Sequence, residues 1–554
     1  MNAIPWRARR NGQSERARFL ALDREQVFDY ELKATETSKA KGEKAKMRIL
    51  LVYPTIPDTF WSFKYILRFI RKKAAHVPLG LLTVAGLLPR EWELKLVDMN
   101  VEPLTDEMIA WADMVFVGAM VVQKQSVRET FARVKQMGKK IVAGGPLFSS
   151  TEETFDEVDH FVLNEAEITL PLFLKDLAQG SPQPVYRTDE KPDITKTPLP
   201  RWDLIDMSNY ASMSVQYSRG CPFDCEFCDI VNLNGRKPRV KSNDQMIREF
   251  QALYDRGWRG RLFIVDDNFI GNKVKVKSLL KALRPWQEER KFPFSLYTEA
   301  SVNLAQDEEL MQLMTGAGFD SVFLGLETPA EECLLECGKH QNTSIDLLEA
   351  VKTIQRNGME VMGGFIIGFD NDPPNIFERQ IQFIQNSGVV KAMIGLLNAI
   401  PGTRLYQRLA AEGRLIQECT GDNCDGSLNF IPKMDIDMVR QGYQAVLNHI
   451  YSPKEYYDRV LAFLKEYKPA RRRRFDPNDL MAFLKSILYL GILDKGKSKI
   501  YYWKLLIKAF LFHRDSFGEA VSSAIFGYHF RKLLRRDLEC RPPNGFPPAQ
   551  MKSC

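Results

Sequence analysis

Three cysteines, Cys221, Cys225 and Cys228, fall within eight residues in the stretch Ser218-Arg219-Gly220-Cys221-Pro222-Phe223-Asp224-Cys225-Glu226-Phe227-Cys228. Cysteine thiolates bind metal clusters, and C-x3-C-x2-C spacing beside Gly220 and Pro222 lets one loop wrap a single small cluster. It supplies three ligands, not four. Structural zinc closes at four, through two C-x2-C pairs or through histidines at set spacing, and no second pair lies nearby. A 4Fe-4S cube held by three protein thiolates keeps one iron open to another molecule. Cys333 and Cys337 can share a helix face and are read as buried structural thiols.

Such a loop needs rigid elements to aim it. From Met47 onward, short apolar runs alternate with helix-like segments. The runs Met47 to Pro54, Glu93 to Asp98, Met114 to Gly118, Lys140 to Gly144 and Asp159 to Val162 have the form of buried parallel strands. Gly80 to Leu88 and Ser126 to Gln136 read as crossing helices, so residues 47–178 predict an α/β, Rossmann-like, doubly wound sheet. Sheets of this kind bind ligands at their carboxyl ends, where Gly118, Gly144 and Gly145 would let a large ligand approach backbone. Residues 179–209, with Pro182, Pro184, Pro192, Pro198 and Pro200, read as a linker.

The strand Met213 to Tyr217 then runs into the cysteine loop. Further apolar runs follow at Arg261 to Asn268, Phe294 to Glu299, Ser321 to Glu327, Glu360 to Phe369 and Met393 to Ile400, which predicts a partial barrel over residues 210–430. Asp266, Asp267, Glu299 and Glu327 stand at or just beyond strand ends, where barrel enzymes place their chemistry. Taken singly, each is better read as a helix-capping or ion-paired carboxylate, and it is their repetition at strand ends that points to function.

Residues 431–554 change to helical spacing, seen in Met438 to Leu464 and Leu480 to Leu493. Tyr501 to Phe512 is aromatic, apolar and basic, a composition that suits a membrane interface, a lipid-like substrate or a plain helical lid. A basic cluster, Arg471 to Arg474, precedes it. Residues 1–46 and the end from Arg541 read as solvated tails.

The chain has 554 residues with 45% hydrophobic and 11% aromatic content, enough for several cores. Its net charge of +7 is modest for that length and sits toward the ends, which argues against a nucleic-acid partner. An odd number of irregularly spaced cysteines predicts a reducing, cytoplasmic setting. No long uncharged apolar run and no signal-peptide pattern is expected to direct it elsewhere.

The cysteine loop resembles that of the radical S-adenosylmethionine (SAM) enzymes, whose aromatic residue before the third cysteine stands here as Phe227. The resemblance implies that Cys221, Cys225 and Cys228 hold a 4Fe-4S cluster whose open iron chelates SAM. It also implies that Phe227, Asp266, Asp267, Glu299 and Glu327 contact SAM or shape its pocket. Residues 47–178 resemble the cobalamin-binding domain of class B, cobalamin-dependent radical SAM enzymes. Asn164-Glu165-Ala166-Glu167 stands where relatives often carry a Gly-Glu repeat. That likeness implies cobalamin over Gly118, Gly144 and Gly145. The D-x-H-x-x-G signature is absent, since neither His76 nor His160 has an aspartate two residues before it, so no cobalt ligand is implied. The full order of domains is similar to radical SAM methyltransferases near the hopanoid C-2 methylase subgroup. It implies methylation of an unactivated carbon in a small, lipid- or terpenoid-like substrate, with electrons from a donor such as flavodoxin or ferredoxin. A cobalamin-dependent cyclase without methyl transfer and a non-enzymatic iron-sulfur sensor stand as alternatives.

Overall fold

The computed structural model describes residues 46–150, 155–422, 424–471, 477–494 and 496–540. Residues 1–45 of the first tail, the tail from Arg541, and most of the basic cluster Arg471 to Arg474 lie outside the described residues. The contact pattern separates Met1–Met47 from Arg48–Cys554, and the account below concerns the latter unit.

Its first sheet has six parallel strands: β1 (Arg48–Tyr53), β2 (Glu93–Asp98), β3 (Met114–Gly118), β4 (Lys140–Gly144), β5 (His160–Val162) and β6 (Val185–Tyr186). Leu50, Leu51 and Val52 are fully buried because helices cover both faces, which is why the strand reads as an unbroken apolar run. Spatial order is β2-β1-β3-β4-β5-β6, so the chain reverses direction across the sheet between β1 and β3. A crevice opens at the carboxyl ends of two strands that diverge in this way.

β6 corrects one expectation. Residues 179–209 include Val185–Tyr186, which pairs in parallel with β5. The segment is therefore part sheet and part connection; two residues beside Pro184 are too short for a period to reveal.

The second sheet also has six parallel strands. They are β7 (Ser212–Val215), β10 (Gly260–Ile264), β11 (Phe294–Ala300), β12 (Phe319–Glu327), β13 (Glu360–Ile367) and β14 (Ala392–Leu396), in the order β14-β13-β12-β11-β10-β7. Between β7 and β10, β8 (Ser218–Arg219) and β9 (Arg239–Val240) pair antiparallel and bracket the cysteine loop. This is the expected partial barrel. Alternation along β11 leaves Phe294, Leu296 and Thr298 buried outward, while Tyr297 and Glu299 line an interior cavity.

Helices Ile436–Ile450, Pro453–Glu466, Pro477–Ser486, Ser498–Phe512 and Phe517–Cys540 complete the fold. The expected helix at Leu480 to Leu493 is α-helical only to Ser486 and continues as a π turn, Ile487–Ile492. Among the described residues no helix is long and apolar enough to cross a membrane.

Candidate active site at the cysteine loop and the inter-sheet cavity

β7 delivers the loop, and the start of the loop is fixed by acids from the next strand end. Asp266 accepts hydrogen bonds from the Tyr217 and Ser218 amides at 2.7 and 2.8 Å and from the Ser218 hydroxyl at 2.7 Å. Asp267 accepts from the Gly220 amide at 3.1 Å and Asn234 Nδ2 at 2.9 Å. Gly220 adopts φ 98°, and a Cβ there would meet the Gly235 carbonyl at 2.7 Å, so only glycine lets the chain turn into the first cysteine. Farther along, the Glu226 amide donates to the Cys337 carbonyl at 2.8 Å, and Arg408 grips the Glu226 carboxylate at 2.8 and 3.1 Å.

The three thiols are half-buried and unbridged. Burial pushes all three up, Cys228 to about 12, so carrying thiolates there requires positive charge at the sulfurs. Asn268 Nδ2 lies 3.8 Å from Cys221 Sγ, and Gln341 Nε2 lies 3.9 Å from Cys225 Sγ, both as weak donors. Among the described residues no three acidic, histidine or cysteine side chains converge on one point as a single ion would need. A cube makes a different demand, because each thiolate binds its own iron and the sulfurs stand apart. The donor set fits a cluster. Cys333 and Cys337 are buried as expected, with thiols turned to Asp372 and to the Leu334 carbonyl.

Beside the loop, Lys339 forms a close buried pair with Glu327. Burial lowers the lysine's affinity for its proton, but Glu327, joined by Cys225 and Cys337, outweighs this and raises it. Lys339 Nζ also lies 6.0 Å from the Phe227 ring centroid. Glu327 has φ 62° at a register shift in β12, an unusual conformation for a residue other than glycine. Gly325 leaves the space in which the pair packs. The sequence reading missed Lys339, which no local pattern marks.

Glu299 is different. Its side chain is enclosed in the protein and lines the cavity, and its carboxyl group makes no hydrogen bond or ion pair among the described residues. Burial, reinforced by Asp267 and Asp266, raises it to about 8. Of the acids singled out from the sequence, Asp266, Asp267 and Glu327 are bound to the protein's own groups, and Glu299 faces open space.

That cavity has a volume of about 1460 Å³, above the roughly 300–1,000 Å³ of common small-molecule sites. It runs from Tyr53, Thr55 and Met120 at the carboxyl ends of β1 and β3, through the interior of the second sheet, to Phe517 and Phe526 of the last helix. The segment after β1 supplies one wall: Trp61 packs edge-on to Phe323 at 5.3 Å, with its Nε1 3.0 Å from Met393 Sδ. At its far end, near the starts of the strands, Lys391 pairs with Glu360 at 2.7 Å, while Arg261 donates to Ser321 at 2.7 Å and meets Asp320 at 3.2 Å. The reversal point of the first sheet and a space larger than a small ligand fit a bulky cofactor lying beside a substrate.

Gly118, Gly144 and Gly145 sit at the expected strand ends, yet their missing side chains are explained by packing. A Cβ would meet Leu81 at 3.0 Å from Gly118, the Val162 carbonyl at 2.6 Å from Gly144 and the Ala119 carbonyl at 3.0 Å from Gly145.

The Asn164-Glu165-Ala166-Glu167 turn ties the two sheets together. Arg219, at the entry to the cysteine loop, pairs with Glu165 at 2.7 Å and Glu167 at 2.8 Å, and Arg239 pairs with Glu165 at 2.7 Å, all with little exposure. Asn164, at φ 65°, makes the turn that presents both glutamates.

An iron-sulfur-type loop on a half-barrel, under a doubly wound sheet with a shared cavity, defines a radical SAM protein with an added cofactor domain. Residues 69–174 match the family described as B12 binding domain, 215–384 the Radical SAM superfamily, and 403–539 a domain of unknown function. An uncharacterised methyltransferase of Synechocystis sp. is 42% identical over 89% of this chain and 93% of its own. The hopanoid C-2 methylase of Rhodopseudomonas palustris is 34% identical over 85% and 90%. The chain belongs to this family of cobalamin-dependent radical SAM methyltransferases. Its fold is shared by the cobalamin-dependent SAM radical enzyme OxsB with aqua-cobalamin bound (TM-score 0.59, 14% identity, 92% of this chain and 85% of that one). It is shared too by the radical SAM methyltransferase TsrM of Kitasatospora setae (0.56, 14%, 87% and 99%). The family's cofactors are SAM, a 4Fe-4S cluster and cobalamin.

Proposed function

We propose that this protein methylates an unactivated carbon of a small, lipid-like molecule held in the inter-sheet cavity. The observation that carries the reading is the joint wall: the switch point of the first sheet, the interior of the second and the C-terminal helices enclose one space. When bound, the cluster and SAM supply a carbon-centred radical and cobalamin supplies a methyl group.

The residues have separable tasks. Cys221, Cys225 and Cys228 would hold the cluster, with the Asn268 and Gln341 amides turned to two of the sulfurs. Phe227 and the Glu327–Lys339 pair would bound the SAM side, and Asp267 keeps the loop in register for it. Glu299 offers a carboxyl group to the cavity that is protonated at neutral pH, hence a hydrogen-bond donor. Cobalamin would lie over the carboxyl ends of β1, β3 and β4, with Gly118 and Gly144 at the strand ends and Gly145 just beyond. Trp61, Phe323, Met362 and Met393 would exclude water from an apolar substrate body. Lys391 and Arg261, at the far end, would meet a polar end group. A small reducing protein of the flavodoxin or ferredoxin kind would supply electrons.

The test is anaerobic incubation of the reconstituted enzyme with SAM carrying an isotopically labelled methyl group and a bacterial lipid extract. A lipid bearing the labelled methyl on carbon supports the reading. Label confined to water-soluble products would remove the lipid-like substrate.

A further inference from the structure

More than half of the large hydrophobic side chains that the described residues expose fall between Leu480 and Phe512. On the helix Ser498–Phe512, Tyr502, Leu505, Leu506 and Ala509 form the buried stripe. The opposite face carries Ile500, Trp503, Ile507 and Leu511, between 39% and 61% exposed, at spacings of three and four residues. The neighbouring helical segment adds Leu484, Leu488 and Ile492. The two are packed side by side, with the Trp503 indole donating to the Gly491 carbonyl at 3.2 Å and Ser486 and Tyr502 sharing a hydrogen bond of 2.8 Å. One apolar face results.

An apolar face of this extent needs an occupant. Its charge identifies one. Lys497, Lys499, Lys504 and Lys508 are exposed around the apolar ridge, the helix Ser498–Phe512 contains no acidic residue, and none of the four lysines makes an ion pair among the described residues. A basic rim around exposed Trp, Phe, Leu and Ile is the composition of a helix lying in a lipid headgroup region, and 15 residues is too short to span a bilayer. The face is also continuous with the cavity: Leu480 belongs both to the exposed ridge and to the cavity wall, and Phe483 and Arg514 line the cavity from the same hairpin.

We propose that this face, carried by residues 480–493 and 498–512, docks on an anionic bilayer and sets the cavity mouth against the membrane surface. The docking rests on the protein's surface and not on its reaction.

The test is sedimentation of the full-length protein with vesicles of phosphatidylcholine alone and of phosphatidylcholine with phosphatidylglycerol. We expect binding to the anionic vesicles that weakens as salt is raised. Ile507→Glu with Leu511→Glu should lower the bound fraction at least about tenfold, since both apolar contacts and charge attraction are lost. Replacing Lys499, Lys504 and Lys508 with Gln should lower it several-fold and flatten the salt dependence. Both variants should keep the wild-type melting temperature and rate of SAM cleavage, because neither set of residues lines the cavity. Wild type that stays in solution with both vesicle types, or a double glutamate variant that binds as well as wild type, would overturn the proposal. So would self-association abolished by the glutamate pair without vesicle binding, which would give the face to a second copy of this chain. Since vesicle binding is read without substrate, its failure and a failure of lipid methylation are separate results.

Discussion

The two six-stranded parallel sheets use their carboxyl edges in opposite ways. In the first, β3 and β4 end in the small, uncharged residues Gly118, Gly144 and Gly145, packed so closely that a single Cβ would strike neighbouring side chain or backbone, and the acid that ends β2, Asp98, is bound by Tyr210 and Asn100. In the second, the edge carries acids, and Asp266, Asp267 and Glu327 are committed to holding the cysteine loop and Lys339. One edge removes side chains so that strands, turns and a helix can pack closely. The other uses charge to fix the loop that carries the three thiols. The shared fold does not decide which; residue types at strand ends do.

The largest effect expected from breaking this contrast is at the loop. Replacing Cys221, Cys225 and Cys228 with Ala should abolish the iron-sulfur absorbance of reconstituted protein and reduce SAM cleavage to background while leaving the circular dichroism spectrum unchanged. Next is the tie between the edges. Arg219→Ala leaves Glu165 and Glu167 short of a buried partner and should cost about 3–5 kcal/mol. Thermal denaturation and limited proteolysis between the domains would register it.

Glu299, the one singled-out acid facing open space, gives a pH signature. Its value near 8 in the folded chain lies above the ordinary 4.5, so between those pH values the folded chain retains a proton that the unfolded chain has released. Stability should therefore fall as pH rises through that window and level off above it, by about 2 kcal/mol after allowing for access from the cavity. Glu299→Gln should flatten that slope in denaturant titrations run from pH 5 to 9. Asp266, raised to about 7 by burial, contributes a slope of the same sign that the variant retains. The smallest effect is at the first edge: Gly145→Ala, at φ 97° and against the Ala119 carbonyl, should cost about 1–2 kcal/mol in the same measurement.

What the sequence disclosed follows the range of the interactions. The cysteine loop and most strands were legible because thiol spacing and apolar runs are local. The acids were legible as strand-end residues, but their division into three bound groups and one open one was not, because the partners of Asp266 lie 48 and 49 residues away. The Glu165–Arg219 tie is just as distant, and its only local trace was the Asn164 turn. β6 escaped notice because two residues carry no period, and the π turn at Ile487–Ile492 because it preserves an apolar pattern while changing the ladder beneath it. The cavity wall around Trp61 joins three parts of the chain that no motif connects.

The central proposal is that groups held by the cysteine loop and by the first sheet serve one reaction in the cavity between the two sheets. The most direct measurement supplies anaerobically reconstituted protein with SAM, a strong reductant and hydroxocobalamin, and follows 5'-deoxyadenosine and S-adenosylhomocysteine together by mass spectrometry. Both products are expected, and both should be lost in the triple cysteine variant. Neither product from protein that holds an intact cluster would contradict it.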